Sequence, residues 1–418
     1  MRFPLRRVET SVAGNLSFGV LLVSQLAAST GFMFVMPFLP LYVQQLGVED
    51  AGHAAAWAGI LNTATAVTMA LAAPLWGRLG DRYGQKKMLL RATLAGAVML
   101  GLMGLVTSPW QLLLLRLLQG SLTGTVAAAT VLVSATAPPD RASSRLGTLQ
   151  TFIFVASAAG PFVGGVFADL VGIRASFGVT ATLLALSGLL VLFGVREAEP
   201  SRSEAAEDDA SGDRSLPGWR LFPGVLALFV VHLSITAAHP VLPGFLETIM
   251  QEPRRVASLA GQIIGAGALA AALGSLVGGR LASRAGVWTT VIGALALAGV
   301  ASLPQAAASS VGELFVLRLV AAFALGMVIP VANLAVRAAV PAERQGAAFG
   351  VAASATSAAF GLGPLGGGLL AASFDFGVPL LVPGILLLAA SAALLTFSVV
   401  DKPRYLRLLK MVLANLVS

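Results

Sequence analysis

The chain has no cysteine among its 418 residues, which excludes both a disulfide framework and a thiolate metal site. Charge is scarce too: 11% of residues are Asp, Glu, Lys or Arg, against about 25% in an ordinary soluble protein. No Gly-x-x-x-x-Gly-Lys-Ser/Thr loop occurs, so nothing in the chain is built to cradle a nucleotide phosphate. Strictly alternating segments of about 10 residues are also missing, which excludes an outer-membrane barrel. No cleavable signal is expected either, because the first apolar stretch, Leu16 to Leu46, is too long and runs into Pro37-Phe38-Leu39-Pro40. What is abundant is apolar surface, at 57% of residues. It comes in runs of about 20, long enough to cross a ~30 Å hydrocarbon layer as helices. The chain reads as an all-α, polytopic membrane protein.

Breakers and charge clusters place twelve spans near 15–46, 54–77, 87–107, 110–136, 145–169 and 174–195, then 221–250, 257–281, 286–304, 311–338, 345–372 and 377–400. The expected organisation is a six-helix bundle over 1–196, an acidic linker over 197–220, a second bundle over 221–400 and a basic amphipathic tail over 401–418. The linker holds Glu197, Glu199, Glu204, Glu207, Asp208, Asp209 and Asp213 among Ser, Ala and Gly, a solvated composition. The formal charge of +8 is distributed for a membrane rather than a nucleic acid. Basic residues cluster in alternate loops, at Arg78, Arg82, Lys86 and Lys87, at Arg141 and Arg145, at Arg280 and Arg284, and at Arg337 and Arg344. The opposite loops carry only Arg174, Arg254 and Arg255, so the positive-inside bias puts both termini and the linker in the cytoplasm.

Features of the first half return 202 or 203 positions later. Met36-Pro37-Phe38-Leu39-Pro40 answers to His239-Pro240-Val241-Leu242-Pro243, and Gly77-Arg78-Leu79-Gly80-Asp81-Arg82-Tyr83-Gly84 to Gly279-Arg280-Leu281-Ala282-Ser283-Arg284-Ala285-Gly286. Arg116 and Gly124 answer to Arg318 and Gly326, and Gly160-Pro161-Phe162-Val163-Gly164-Gly165 to Gly363-Pro364-Leu365-Gly366-Gly367-Gly368. Two parallel six-helix halves related by an axis along the membrane normal place a substrate site at their interface and work by rocking.

These residues carry a resemblance over nearly the whole chain. Gly77-x-Leu79-x-Asp81-Arg82-x-Gly84-x-Lys86-Lys87 resembles the loop signature of the major facilitator superfamily, with Gln85 where a basic residue is usual. Arg116-x-x-Gln119-Gly120 resembles the fourth-helix motif of proton-coupled exporters, and Gly160-Pro161-x-x-Gly164-Gly165 the motif that marks antiporters. The opening Val35 to Gly47, with Met88-Leu89-Leu90-Arg91, is similar to MdtG-type multidrug efflux proteins. The resemblance implies a secondary transporter of the drug/proton antiporter branch, a bacterial inner-membrane monomer that is not an enzyme. It would export small lipophilic or amphipathic molecules by alternating access, with a proton gradient and no cofactor.

Expected roles follow. Gly77, Asp81, Arg82, Gly84 and Lys86 form a gate in which Asp81 meets a helix amino terminus, that of the eleventh span, while Arg82 and Lys86 bind Asp140 or lipid headgroups. The charges also serve topology on their own. Gly160, Pro161, Gly164 and Gly165 supply a bend and a small-residue stripe that lets backbones approach across the two halves. Arg116, with Gln119 one turn on, is a membrane-embedded charge of the kind that marks function, whereas Arg318 lacks an equivalent glutamine and reads as structural. No carboxylate falls in a helix centre; Asp169, Glu247, Glu313 and Asp375 sit near ends. Proton coupling is therefore sought at His232 and His239, seven apart and on one face of the seventh span, while a hydrogen-bonded structural histidine is the plainer alternative. Gln25, Phe32, Met36, Phe152, Phe245, Asn333 and Phe360 are the expected cavity wall, adaptable in the manner of promiscuous sites. Two rivals stay open, an uptake symporter of the same fold and a transport-inactive sensor or lipid-binding protein.

Overall fold

The computed structural model describes residues 5–138, 141–195, 218–250, 255–341 and 344–400, with side chains from residue 16 onward except at 81, 135, 142–143, 218–219 and 398–400. The linker expected over 197–220 lies outside the described residues up to 217, and the tail over 401–418 lies outside them entirely.

Every described element is helical: α1 (Leu5–Phe34), α2 (Leu39–Gln45), α3 (Ala51–Tyr83), α4 (Gln85–Met103), α5 (Pro109–Leu122), α6 (Thr125–Thr136), α7 (Ala142–Val171) and α8 (Ile173–Gly194), then α9 (Gly218–Ala237), α10 (Leu242–Ile249), α11 (Val256–Ala285), α12 (Val287–Ser302), α13 (Val311–Ala338), α14 (Gln345–Ser373) and α15 (Val378–Val400). Eleven helical runs among the described residues are long and apolar enough to cross a bilayer. α4, with Lys86, Lys87 and Arg91 in its first two turns, fills the remaining expected place.

Three spans expected to be continuous are interrupted. The first breaks after Phe34 into a short tight helix, Met36–Phe38, before α2, because Pro37 and Pro40 lack the N–H that a continuing helix needs. The seventh breaks at 238–241, before Pro243, so His239 lies in a turn rather than on a helix face. The seven-residue argument for pairing it with His232 does not hold there. The fourth breaks at Gly124, whose φ of +131° only glycine adopts readily. Its repeat partner Gly326 is inside the unbroken α13, where a Cβ would collide with the Ala271 carbonyl. One repeated glycine thus serves a break in one half and close packing in the other.

Elsewhere the repeat is reproduced in detail. Gly84 and Gly286 cap α4 and α12 with φ of 98° and 94°. Ser108 and Ser310 cap α5 and α13 with identical angles, φ −142° and ψ 153°, each accepting from the backbone N–H three residues on.

The contacts form two compact units. Among the described residues, one holds 5–48, 64–195 and 255–265, and the other holds 49–63, 218–250 and 266–400. In the first, α1 packs on α7 and α8, and Leu21, Leu22, Ala129, Leu132, Val133, Leu149 and Val191 form a core. In the second, α9 packs on α13, α14 and α15 around Leu228, Val231, Val328, Val331 and Leu387. Each unit includes the amino-terminal piece of a helix that the repeat assigns to the other half.

Candidate functional site

In the first unit, Gly120 brings α5 against α3 so closely that a Cβ would strike the Thr65 carbonyl and the Thr68 hydroxyl. This crossing buries Arg116, 8% exposed, and Gln119, 3% exposed. Arg116 Nη1 donates to Gln119 Oε1 at 3.3 Å, and Thr65 Oγ1 donates to the Arg116 carbonyl at 3.3 Å. Arg116 Nε finds no hydrogen-bond partner among the described residues. The expected pairing of Arg116 with Gln119 is therefore present in the geometry, and one donor is left over.

Sequence reasoning missed a second cation. Arg91, two turns into α4, lies 3.4 Å above the ring of Trp76, whose Nε1 donates to the Ser121 carbonyl at 2.6 Å. Its Nε and Nη1 are enclosed without a partner among the described residues. A tryptophan face is a good partner for a guanidinium held away from water. The signal was the Trp-Arg pair itself, fifteen positions apart on two helices joined by the Gly84 turn.

The expected gate divides. The Asp81 side chain lies outside the described residues. Gly84 makes the turn, and Lys86 Nζ donates to the Leu192 carbonyl at 2.9 Å in the last turn of α8, a cation on a helix carboxyl end. Arg82 stacks on the neighbouring Tyr83 ring at 5.3 Å, and Gly77 is open.

The glycine stripe of α7 also divides. Gly160 and Gly164 do not face the other half. A Cβ on Gly160 would meet Met33 and Thr30, and one on Gly164 the Phe34 backbone, so both serve α1. Gly165 lies against the Ala257 carbonyl, while the carbonyls of Pro161 and Ala158 lie against Gly261 and Gly265 of α11. The second unit repeats this crossing: Gly368 meets the Ala55 carbonyl, Gly59 meets the Pro364 carbonyl, and Thr63 Oγ1 donates to the Gly361 carbonyl at 2.6 Å. Spacing fixes which residues are small, but not which neighbour they admit.

Among the histidines, His232 bonds through Nδ1 to the Leu228 carbonyl at 2.8 Å and packs 5.3 Å from the Phe360 ring. His239 is partly buried with its Nδ1 enclosed and unpartnered among the described residues. Arg318 does have a glutamine: Nη1 donates to Gln305 Oε1 at 3.4 Å, from the tight helix that follows α12. The glutamine absent from the repeat-equivalent position is thus supplied by another element.

Of the expected cavity wall, Gln25 is fully buried with neither amide atom bonded among the described residues. Phe32 reaches Gly96 of α4, Phe152 packs on the first unit's core, and Phe245 is 4% exposed; these three pack helices together. Asn333 donates to the Ile329 carbonyl at 3.0 Å, Phe360 is about half exposed, and Met36 sits in the tight turn after α1.

The family model described as Major Facilitator Superfamily matches residues 21–304 and 224–412. The chain belongs to the major facilitator superfamily. It is similar to "Multidrug resistance protein MdtG" of Dickeya zeae, 34% identical over 84% of this chain and 86% of that protein. It is also 35% identical to the protein of that name in Citrobacter koseri, and 30% identical to "Multi-drug resistance efflux pump PmrA homolog" of Lactococcus lactis over 83% of this chain and 86% of that one. Among solved structures it is similar to the nucleoside transporter NupG, with a TM-score of 0.70 at 14% identity over 90% of this chain and 99% of that one. A bacterial homologue of the human lysosomal transporter Spinster matches with a TM-score of 0.71 at 16% identity over 91% of this chain and 96% of that one. At these identities the structures speak for the fold. The superfamily fold expected from the motifs is thereby confirmed, and the chain is a multi-pass membrane protein.

Proposed function

We propose that this protein is a secondary transporter of the bacterial inner membrane that moves small lipophilic or amphipathic compounds out of the cell in exchange for protons, by alternating access. The observation that carries it is the pair of repeat-related crossings, α7 with α11 and α3 with α14. Each joins a helix of one sequence half to a helix of the other by backbone contact at glycine. With the basic loops in the cytoplasm, both crossings lie at the outer end of the helices, and they are closed. An exporter must open there to discharge. The multidrug relatives support the lipophilic substrate class, and the buried Arg116 with Gln119 and His239 beside Arg318 are the groups we assign to proton exchange.

The test is transport in proteoliposomes under an imposed pH gradient, against a panel of dyes, antibiotics and metabolites. Counterflow of several unrelated lipophilic dyes against the proton gradient is the expected result. Accumulation of one narrow metabolite along the proton gradient would favour the uptake symporter, and binding without flux would favour the sensor.

A further inference from the structure

Four described carboxylates, Asp50, Asp169, Glu313 and Asp375, share one task, each accepting from a backbone N–H at the start of a helix. Asp50 Oδ1 accepts from the His53 N–H at 2.7 Å at the start of α3. Glu313 accepts from the Ser309 N–H at 3.0 Å in a reciprocal cap with Ser310 on α13, and Asp375 accepts from the Gly377 and Val378 N–H groups at the start of α15. These three caps lie within four residues of their donors. Asp169 is different. At the carboxyl end of α7, its Oδ2 accepts at 2.7 Å from the N–H of Ser258, the third residue of α11, across 89 positions of sequence.

The reason lies in how α11 begins. The first four N–H groups of a helix have no partner inside it. In α3 the residue before the helix is Asp50, which supplies an acceptor from its own side chain. In α11 the corresponding residue is Arg255, whose carbonyl starts the helix by accepting from Leu259 N. Its guanidinium holds no acceptor, and its φ of +86° is the only positive value outside glycine among the described residues. The acceptor for α11 is supplied by α7, beside the Gly165–Ala257 contact, where Ser258 Oγ also reaches the Gly165 carbonyl at 3.4 Å.

We propose that Asp169 is a positioning residue of the transport cycle, a latch whose carboxylate caps α11 only while the outer α7–α11 crossing is closed. The cap of α3 travels with α3, so it contributes equally whether the α3–α14 crossing is open or shut. The cap of α11 is lost when α7 and α11 part, so its whole contribution favours the closed outer end. The proposal rests on the alternating-access reading and adds to it a named group on the face opposite the Asp81 loop.

The absence of cysteine makes the test direct, since a single reporter needs no background removed. Ala158→Cys places a thiol on α7, 7% exposed, where its carbonyl meets Gly265. Spheroplasts bearing this reporter are treated from outside with a membrane-impermeant maleimide. Asp169→Ala is expected to raise the labelling rate roughly two- to tenfold, the size of a lost cap. Asp169→Asn, which keeps a neutral acceptor, is expected to restore much of the slow labelling. Asp50→Ala is expected to leave it unchanged. Equal labelling with and without Asp169, or an equal rise in Asp50→Ala, would overturn the latch. Dye counterflow is measured separately: its absence in the unmodified protein refutes the transport reading while leaving the labelling comparison intact.

Discussion

The α7–α11 and α3–α14 crossings are two copies of one solution. Position by position, Gly165 and Ala257 answer to Gly368 and Ala55, Pro161 and Gly261 to Pro364 and Gly59, and Ala158 and Gly265 to Gly361 and Thr63. The backbone contact has been kept in both. What differs is the polar reinforcement: a carboxylate on a helix amino terminus in one, and a threonine hydroxyl on a carbonyl in the other. Helices in lipid gain little from apolar burial against each other, so they associate through close packing and hydrogen bonds. A crossing that must open and close can therefore keep its shape while its strength is adjusted by one polar contact, and the two crossings differ in this respect.

The largest effect is expected from destroying the shared part. Gly165→Val and Gly368→Val each push side-chain atoms into a backbone carbonyl that cannot step aside. Overpacking of this kind costs about 1–3 kcal/mol, so each is expected to reduce dye counterflow roughly tenfold or more and to speed outside labelling of a thiol in its own crossing. If Gly368→Val has no effect while Gly165→Val does, the two crossings are not equivalent in the cycle.

A second comparison separates the repeat-related arginines. Arg116 bonds a glutamine on its own helix and keeps Nε unpartnered among the described residues, whereas Arg318 bonds Gln305 from a different element and, by our proposal, shares proton exchange with His239. Arg116→Ala is expected to lower counterflow about tenfold, in line with the function that buried membrane charges usually mark. Arg318→Ala is expected to shift its pH profile as His239→Ala does, read as initial rate against pH. Identical profiles for Arg116→Ala and Arg318→Ala would remove the distinction.

A smaller effect isolates the second crossing. Thr63→Val keeps the volume but removes the hydrogen bond to Gly361, worth about 0.6–1.7 kcal/mol between membrane helices. Outside labelling of a thiol near Gly361 is expected to rise roughly threefold, with the α7–α11 reporter unmoved.

Much of this was legible in the sequence because lipid imposes a strict grammar. Spans, loop charges and the repeat follow from hydropathy and residue identity, and Gly84 and Gly286 each turn where the repeat placed them. Breaks within spans were less legible, since proline is tolerated inside membrane helices: Pro161 and Pro364 lie within unbroken α7 and α14, while Pro37 and Pro40 accompany a break. Partners were least legible of all. Nothing in the spacing of Gly160, Gly164 and Gly165 says that two face α1 and one faces α11, or that the glutamine for Arg318 comes from the turn after α12. Of the end-placed carboxylates, set aside because none lies at mid-membrane, Asp169, Glu313 and Asp375 proved to be helix caps.

The smallest effect concerns the cap that does not distinguish states. Asp50 is held below its ordinary value of 3.8 chiefly by the His53 backbone N–H, with the His53 ring at 2.6 Å adding to it. A carboxylate lowered in this way binds fewer protons folded than unfolded, so stability rises with pH across the interval between the two values. The contribution is fully present above about pH 4 and is lost as pH falls through the lower, folded value. Thermal unfolding of the detergent-solubilised protein is expected to lose this increment below about pH 4, and Asp50→Asn, which caps without titrating, is expected to flatten that part of the profile. Because the cap belongs to α3 alone, outside labelling of both crossings, each taken relative to a freely exposed reference thiol because maleimides react with the thiolate, is expected to keep a constant ratio over the same pH range in the Asp169→Asn background. A change in labelling there would mean that the α3 cap, too, reports the state of its crossing.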